Sequence, residues 1–199
     1  MPYIKSPLNY TGGKYKMLDR IIPNFPPEIG RFADLFAGGL NVGVNVGAQV
    51  IYANDRLSYL IDLYRYFQET PAADIVAAVN GRIEKYGLSL TNAEGYARLR
   101  ADYNRDKKSA DLFVLACYSF NHQIRFNGSH DFNTPFGKAR SAYNPSIERN
   151  LIRFCSALQS KRVIFSSVDF TEFDFSGFGK GDLVYCDPPY LITTGSYND

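Results

Sequence analysis

Phe32-Ala33-Asp34-Leu35-Phe36-Ala37-Gly38-Gly39, followed by Val50-Ile51-Tyr52-Ala53-Asn54-Asp55, is the stretch whose pattern decides the architecture. Phe32 to Phe36 reads as a short buried strand, and Gly38-Gly39 makes a turn. Leu40 to Ala48 then continues as a predicted helix despite Gly43 and Gly47. Each glycine costs a helix about 1 kcal/mol relative to Ala, so close packing against a sheet is the reason to keep them. Val50 to Ala53 is a second strand, and Arg56 to Gln68 is a helix. Strand and helix in alternation are the mark of a parallel sheet.

Upstream, Gly12-Gly13-Lys14 leads into an amphipathic stretch, Met17 to Ile22, which Pro23, Pro26 and Pro27 bring to an end. Downstream, from Pro71 to about Asn121, the strand signal disappears. Ala72–Tyr86, Asn92–Arg105 and Ser109–Phe120 carry apolar residues three and four apart and predict three helices. A polar stretch rich in glycine and asparagine, Asn121 to Asn144, follows. The alternation returns with a helix at Ile147–Ser160 and strands at Val163–Phe165 and Leu183–Cys186. The expected fold is a parallel α/β domain built from residues 1–70 and 144–199, interrupted by a helical insertion over 71–143.

Bulk properties narrow the classes. The chain has 199 residues, 45% of them hydrophobic and 21% charged, which is enough for one substantial core. Aromatic residues reach 15% with no Trp, which fits a well-filled core or a surface on which bases stack. Cys117, Cys155 and Cys186 are widely spaced and odd in number, and only His122 and His130 accompany them. That set gives neither a disulfide framework nor a metal-ligand pattern, so no metal is expected. No apolar run reaches membrane-spanning length and the first ten residues lack a signal-peptide core, so a cytoplasmic location with no membrane partner is the default. Between Arg98 and Arg162 twelve Lys/Arg face five Asp/Glu, a local balance of +7, which leaves −5 for the remainder of a chain whose total is +2. The basic middle is a candidate nucleic-acid face, or else a solvated helical surface.

Four constellations carry chemistry. Asp187-Pro188-Pro189-Tyr190 closes the apolar run Leu183–Cys186. The prolines fix φ and remove two backbone donors, leaving nearby carbonyls free to accept hydrogen bonds, and the tyrosine adds a flat face. Such a site suits a planar base with an exocyclic amine. That nitrogen is a weak nucleophile because its lone pair is delocalised into the ring. Acceptors at Asp187 and a prolyl carbonyl draw it towards a tetrahedral, more nucleophilic form. Phe36 to Gly39 sits at the first strand-to-helix turn, where small residues let a nucleotide-like ligand approach the backbone, although a simple tight turn has the same sequence. Asp55 ends the second strand 17 positions after Gly38. There a carboxylate meets ribose hydroxyls, caps the next helix, or does both. Tyr10-Thr11-Gly12-Gly13-Lys14 lacks the Ser or Thr of a phosphate loop; Lys14 either answers a ligand carboxylate or is solvated. Finally, Ile124–Gly128 and Asp131–Lys138 mix cations, amides and aromatics. Arg125, Asn127 and Asn133 suit base edges, and Lys138 and Arg140 suit phosphates.

Taken in order, Asn9–Lys14, Asp34–Gly39, Asn54-Asp55, Arg125-Phe126-Asn127 through Phe132–Gly137, and Asp187–Tyr190 resemble the Dam-type DNA adenine N6-methyltransferases over nearly the whole chain. The resemblance implies a Rossmann-like methyltransferase fold, S-adenosylmethionine as cofactor, and double-stranded DNA as partner with the target adenine flipped out of the duplex. It also implies a monomer. By the same resemblance Tyr10, Lys14, Phe36, Gly38, Asp55, Phe170 and Asp187 form the cofactor site. Asp187, Pro188, Pro189 and Tyr190 are catalytic, and Arg125, Asn127, Asn133 and Lys138 lie at the DNA. Residues 71–143 become a target-recognition domain. Leu40 stands where the family usually has a second glycine, and the family's later strands are absent from the sequence, which leaves an exposed sheet edge as an expectation. Methylation of cytosine N4 or of RNA, and non-catalytic binding by an incomplete sheet, stay open as alternatives. The whole reading requires residues 14, 38, 55 and 187 to share one cavity.

Overall fold

A computed structural model describes residues 3–189. Four strands, β1 (Ile29–Asp34), β2 (Ala48–Asn54), β3 (Val163–Ser166) and β4 (Leu183–Tyr185), form one sheet in the order β3-β2-β1-β4. Every pairing is parallel, with Ala33 opposite Tyr52 and Val184, and Tyr52 opposite Ile164. Side chains alternate across a strand, so this register sorts the sheet into two faces. Phe32, Ile51 and Val163 are buried on the face that meets the main core. Ala33 and Leu35 lie on the other, against Phe173, with Tyr52 and Phe178 beside them. Val184 on β4 and Ile164 on β3 are at the sheet's edges among the described residues and stay exposed.

Helices α2 (Ser58–Glu69), α3 (Ala72–Tyr86), α4 (Ala93–Asp106), α5 (Ser109–Tyr118) and α6 (Pro145–Gln159) follow the spacing read from the sequence, and α1 (Leu18–Ile21) is a single turn between two 3-10 turns. Their ends have local causes. Gly87, at φ +60°, closes α3 in the left-handed region that glycine adopts without strain. Asn92 caps α4 through the amide of Gly95, and Asn144 caps α6 through the amides of Ser146 and Ile147, with Pro145 at the first position. The exception is Leu40–Ala48, which forms a series of turns ending where β2 begins, at Ala48, rather than the predicted helix. Leu40 sits at φ +52°, outside helical geometry, and a Cβ at Gly43 would meet the Leu40 and Asp34 side chains. Asn41 and Asn45 spend their amides on the backbone of Ser6 and Ile4.

Helix α5 is buried from Ala110 to Tyr118, which makes it the hub of the helical layer. Phe113 meets Phe67 of α2 edge-on at 5.4 Å and Tyr143 at 6.3 Å. Helices α3 and α4 pack on α5, and α2 packs on both α5 and α6, so residues 71–143 share one apolar core with the sheet's own helices. No helix among the described residues is long and apolar enough to cross a membrane. Because Phe113 joins both groups of helices, Phe113→Ala should lower stability by about 3–5 kcal/mol. Guanidinium unfolding should show one shifted transition; two separated transitions would mean that the layers are independent.

Candidate active site

In a parallel sheet a ligand crevice opens at the carboxyl ends of the strands, where the chain departs from the central strand to both sides. Here β1 is flanked by β2 and β4, and one cavity of about 520 Å³ collects the ends of all four strands. Phe36 to Gly39 arrive from β1, Asn54 to Leu57 from β2, Val168 to Phe170 from beyond β3, and Asp187 to Pro189 from β4. Tyr10 to Lys14 line it from the N-terminal segment.

That segment is strapped down by two asparagines. Ile4 and Asn45 exchange a pair of hydrogen bonds at 2.7 Å, and the Ser6 amide donates to Asn41 Oδ1 at 3.0 Å. Tyr10 is thereby laid on the first turn: a Cβ at Gly38 would stand 3.1 Å from its ring, and one at Gly39 3.3 Å from its own Cβ. Gly38 also has φ +45°, so both its conformation and its neighbour require glycine. The buried Tyr64 hydroxyl donates to the Gly38 carbonyl at 2.6 Å and anchors the turn from below. Leu40, where a further glycine was expected, does adopt the left-handed backbone; its fully buried side chain offsets a strain of roughly 1–2 kcal/mol.

Asp55 joins two turns. Its Oδ2 accepts from the Gly38 amide and its Oδ1 from the Leu57 amide, each at 2.9 Å. Asp55 thus lines the cavity and closes the turn before α2, but it does not cap that helix, which starts at Ser58 with Leu57 before it and no side-chain cap. Burial pushes its carboxyl above the ordinary range, and those two amides pull it back. Phe36 and Phe170 touch at 5.3 Å with their rings tilted by 42°, and Phe170 is about half exposed, which gives the cavity an aromatic wall. Lys14 Nζ lies 2.5 Å from Asp187 Oδ2 and 3.0 Å from the Gly12 carbonyl. The sequence reading gave Lys14 a ligand carboxylate; within the chain its partner is Asp187. Residues 14, 38, 55 and 187 do share one cavity. Tyr190 lies outside the described residues.

Two residues of this site had no role in the sequence reading. Asp34, at the end of β1, is 2% exposed and lines the cavity. Its Oδ1 has no hydrogen-bond partner among the described residues. Burial raises its carboxyl to about 7 against the pull of the Gly43 amide, and Asp55 and Asp187 add to the rise. An unpaired buried carboxylate facing a cavity is suited to a cation. A charged residue inside an apolar strand was the available signal. Asn54 is the second. Its Nδ2 donates to the carbonyls of Leu35 and Val168, and its Oδ1 accepts from the Ser166 hydroxyl and the Val168 amide. It ties the ends of β1, β2 and β3 together.

The candidate DNA residues fall in two places. Arg125 is exposed and its Nε donates to Asn133 Oδ1 at 3.2 Å, while Lys138 and Arg140 are exposed in a neighbouring turn. Asn127 instead lines the cavity with Phe126 and His130, and its Oδ1 accepts from the amides of Ser129 and Asp131. Its side-chain oxygen is committed to its own loop, whereas the sequence reading offered this amide to a base edge.

Comparison with known proteins agrees with this geometry. Residues 10–199 match the family model of the D12 class N6 adenine-specific DNA methyltransferases. The chain is 50% identical to the Type II methyltransferase M.FokI of Planomicrobium okeanokoites and 47% identical to the modification methylase StsI of Streptococcus sanguinis, in each case over 99% of this chain and 30% of the relative. It is 29% identical to the DNA adenine methylase of Salmonella typhimurium over 96% of this chain and 66% of that protein. The chain thus spans about a third of the length of the first two relatives.

The buried carboxyl gives a signed expectation. Asp34 holds its proton more tightly folded, near pH 7, than unfolded, near pH 4, so its contribution to stability falls as pH rises through that window. Asp34→Asn should abolish this part of the slope in urea titrations from pH 4 to 8; an unchanged slope would mean that the carboxyl is not buried as described. Asn54→Ala, which leaves two carbonyls, an amide and a hydroxyl without that partner, should cost at least about 2 kcal/mol in the same assay.

Proposed function

The chain belongs to the D12 class N6 adenine-specific DNA methyltransferase family, and from that premise we propose that it binds S-adenosylmethionine in the cavity at the strand ends and methylates N6 of an adenine flipped out of double-stranded DNA. The observation that carries this reading is the convergence on one cavity of Lys14, Gly38, Asp55 and Asp187, which the sequence scatters over 174 positions.

The donor set fits the cofactor piece by piece. Asp55 suits ribose hydroxyls, the rings of Phe36 and Phe170 suit an adenine, and the glycine turn under Tyr10 leaves room for the ligand to reach the backbone. Asp34, with its unpaired Oδ1, suits an ammonium group, and Lys14 suits a carboxylate. When bound, S-adenosylmethionine supplies a sulfonium methyl group to the target nitrogen. The chain's own task is to hold that nitrogen. Asp187 and the Pro188 carbonyl accept its two N–H bonds, Asp187 stands ready to receive the proton that leaves, and Tyr190 stacks on the ring. Lys14 holds the Asp187 carboxylate in place until the amine arrives.

Residues 71–143, with the exposed Arg125 and Lys138 and the half-buried Asn133, are assigned to target recognition, and the basic stretch from Arg98 to Arg162 favours the phosphate backbone. Incubation with methyl-labelled S-adenosylmethionine and unmethylated genomic DNA should place label in N6-methyladenine on nucleoside analysis. Asp187→Ala should lower the rate by about 10²–10³-fold with DNA affinity within about threefold of the parent. Label in another nucleoside, or undiminished turnover in the variant, would overturn the assignment.

A further inference from the structure

The cavity's outer wall comes from the region assigned to DNA rather than from the sheet. Residues Arg125 to Asn133 form a small hairpin: Asn133 N donates to the Arg125 carbonyl at 3.0 Å, Asn127 N donates to the Asp131 carbonyl at 2.9 Å, and Phe126 faces Phe132 across an antiparallel bridge. Its open end carries the hydrogen-bonded pair Arg125 and Asn133. Its tip, at Phe126, Asn127 and His130, lines the cavity. One hairpin therefore has a face on each ligand.

Two side chains at the end of α4 hold it. Asn104 pairs with the Phe132 backbone in both directions, at 2.8 and 3.2 Å. Lys107, the left-handed residue that ends α4, donates to the His130 carbonyl at 2.6 Å and to Asp131 at 3.4 Å. The same ammonium stands 5.4 Å from the Tyr59 ring centroid and 5.3 Å from that of Tyr103. Tyr59 in turn stacks on Phe126 at 4.8 Å. Two hydrogen bonds and two ring faces thus draw on one cation that is only 28% exposed.

We propose that Lys107 is a positioning residue that fastens the hairpin tip to the cavity, so that filling the cavity orders Arg125 and Asn133 for DNA. The inference rests on the reading of the cavity as the cofactor site. A ligand held against the tip restricts a loop whose other end carries the DNA pair, and an ordered loop costs the second ligand less to bind. By linkage the effect is reciprocal. Lys107 touches neither ligand; it keeps the tip and the tyrosines moving as one body.

Hydrogen exchange and calorimetry on the full chain, with S-adenosylhomocysteine as the probe, test this. In the parent, saturating probe should slow exchange of the Asn127, Asp131 and Asn133 amides by about fivefold or more. In Lys107→Met the slowing should shrink to less than about twofold and probe affinity should fall about threefold or more, while Lys107→Arg retains both. A role confined to folding would lower the melting temperature of Lys107→Met and leave the probe-dependent slowing intact, and that result overturns the proposal. Probe binding to the parent without slowing of the hairpin also overturns it, whatever the variants do. Failure of the parent to bind the probe would instead remove the cofactor reading on which the inference stands.

Discussion

A parallel sheet ends in carbonyls and amides that no further ladder partner can satisfy, and in this chain a buried asparagine takes up several of them at once. Asn54 bonds to the backbone on both sides of β2, to Leu35 beyond β1 and to Val168 beyond β3, and takes up the Ser166 hydroxyl as well. The positions of Phe36, Asp55 and Phe170 relative to one another follow from that clamp. Asp55 then repeats the device one residue later, tying the Gly38 amide to the Leu57 amide. The groups that finish the sheet are also the groups that surround the cavity, which is why the site has little freedom to deform.

The charges in the cavity are arranged by burial more than by pairing. Burial raises the Asp34 carboxyl to about 7 and also raises that of Asp55, whose charge two amides support, and Asp187 has the Lys14 ammonium. Three carboxyls of the same residue type therefore meet a ligand in different surroundings. A cation arriving beside Asp34 favours its ionisation, so binding there is coupled to proton release. The helical layer contributes in a different currency: α4 and α5 carry the hairpin that forms the outer wall, and their packing into the common core sets its distance from the sheet.

Much of this was legible in order. Short apolar runs broken by glycine predicted the strands, and spacing of three and four predicted α3 to α5 with ends within a few residues. Where local rules failed, a tertiary contact had displaced them. Leu40–Ala48 has the composition of a weak helix, but the amides of Asn41 and Asn45 are claimed by the N-terminal segment some forty residues away in the chain, and Leu40 reverses the backbone. Asn127 reads as a base-contacting amide in the sequence, yet its oxygen is used by its own loop and its position is against the cavity. Asn54 stood in the sequence only as the neighbour of Asp55, because a clamp between strands has no sequence spacing to betray it.

From the amino-acid order alone followed the parallel α/β class, the helical character of residues 71–118, the carboxylates at the ends of the second and last strands, and the family resemblance, since each depends on periodicity or on motifs contiguous in the chain. Tertiary structure alone decided that Asp34 is a buried, partly starved carboxyl, that Lys14 meets Asp187, and that Phe126 and His130 close the far side of the cavity. Those facts depend on distances between segments 30 to 170 residues apart in the chain. Burial and through-space charge are set by what packs around an atom, and the linear order of residues does not record that packing.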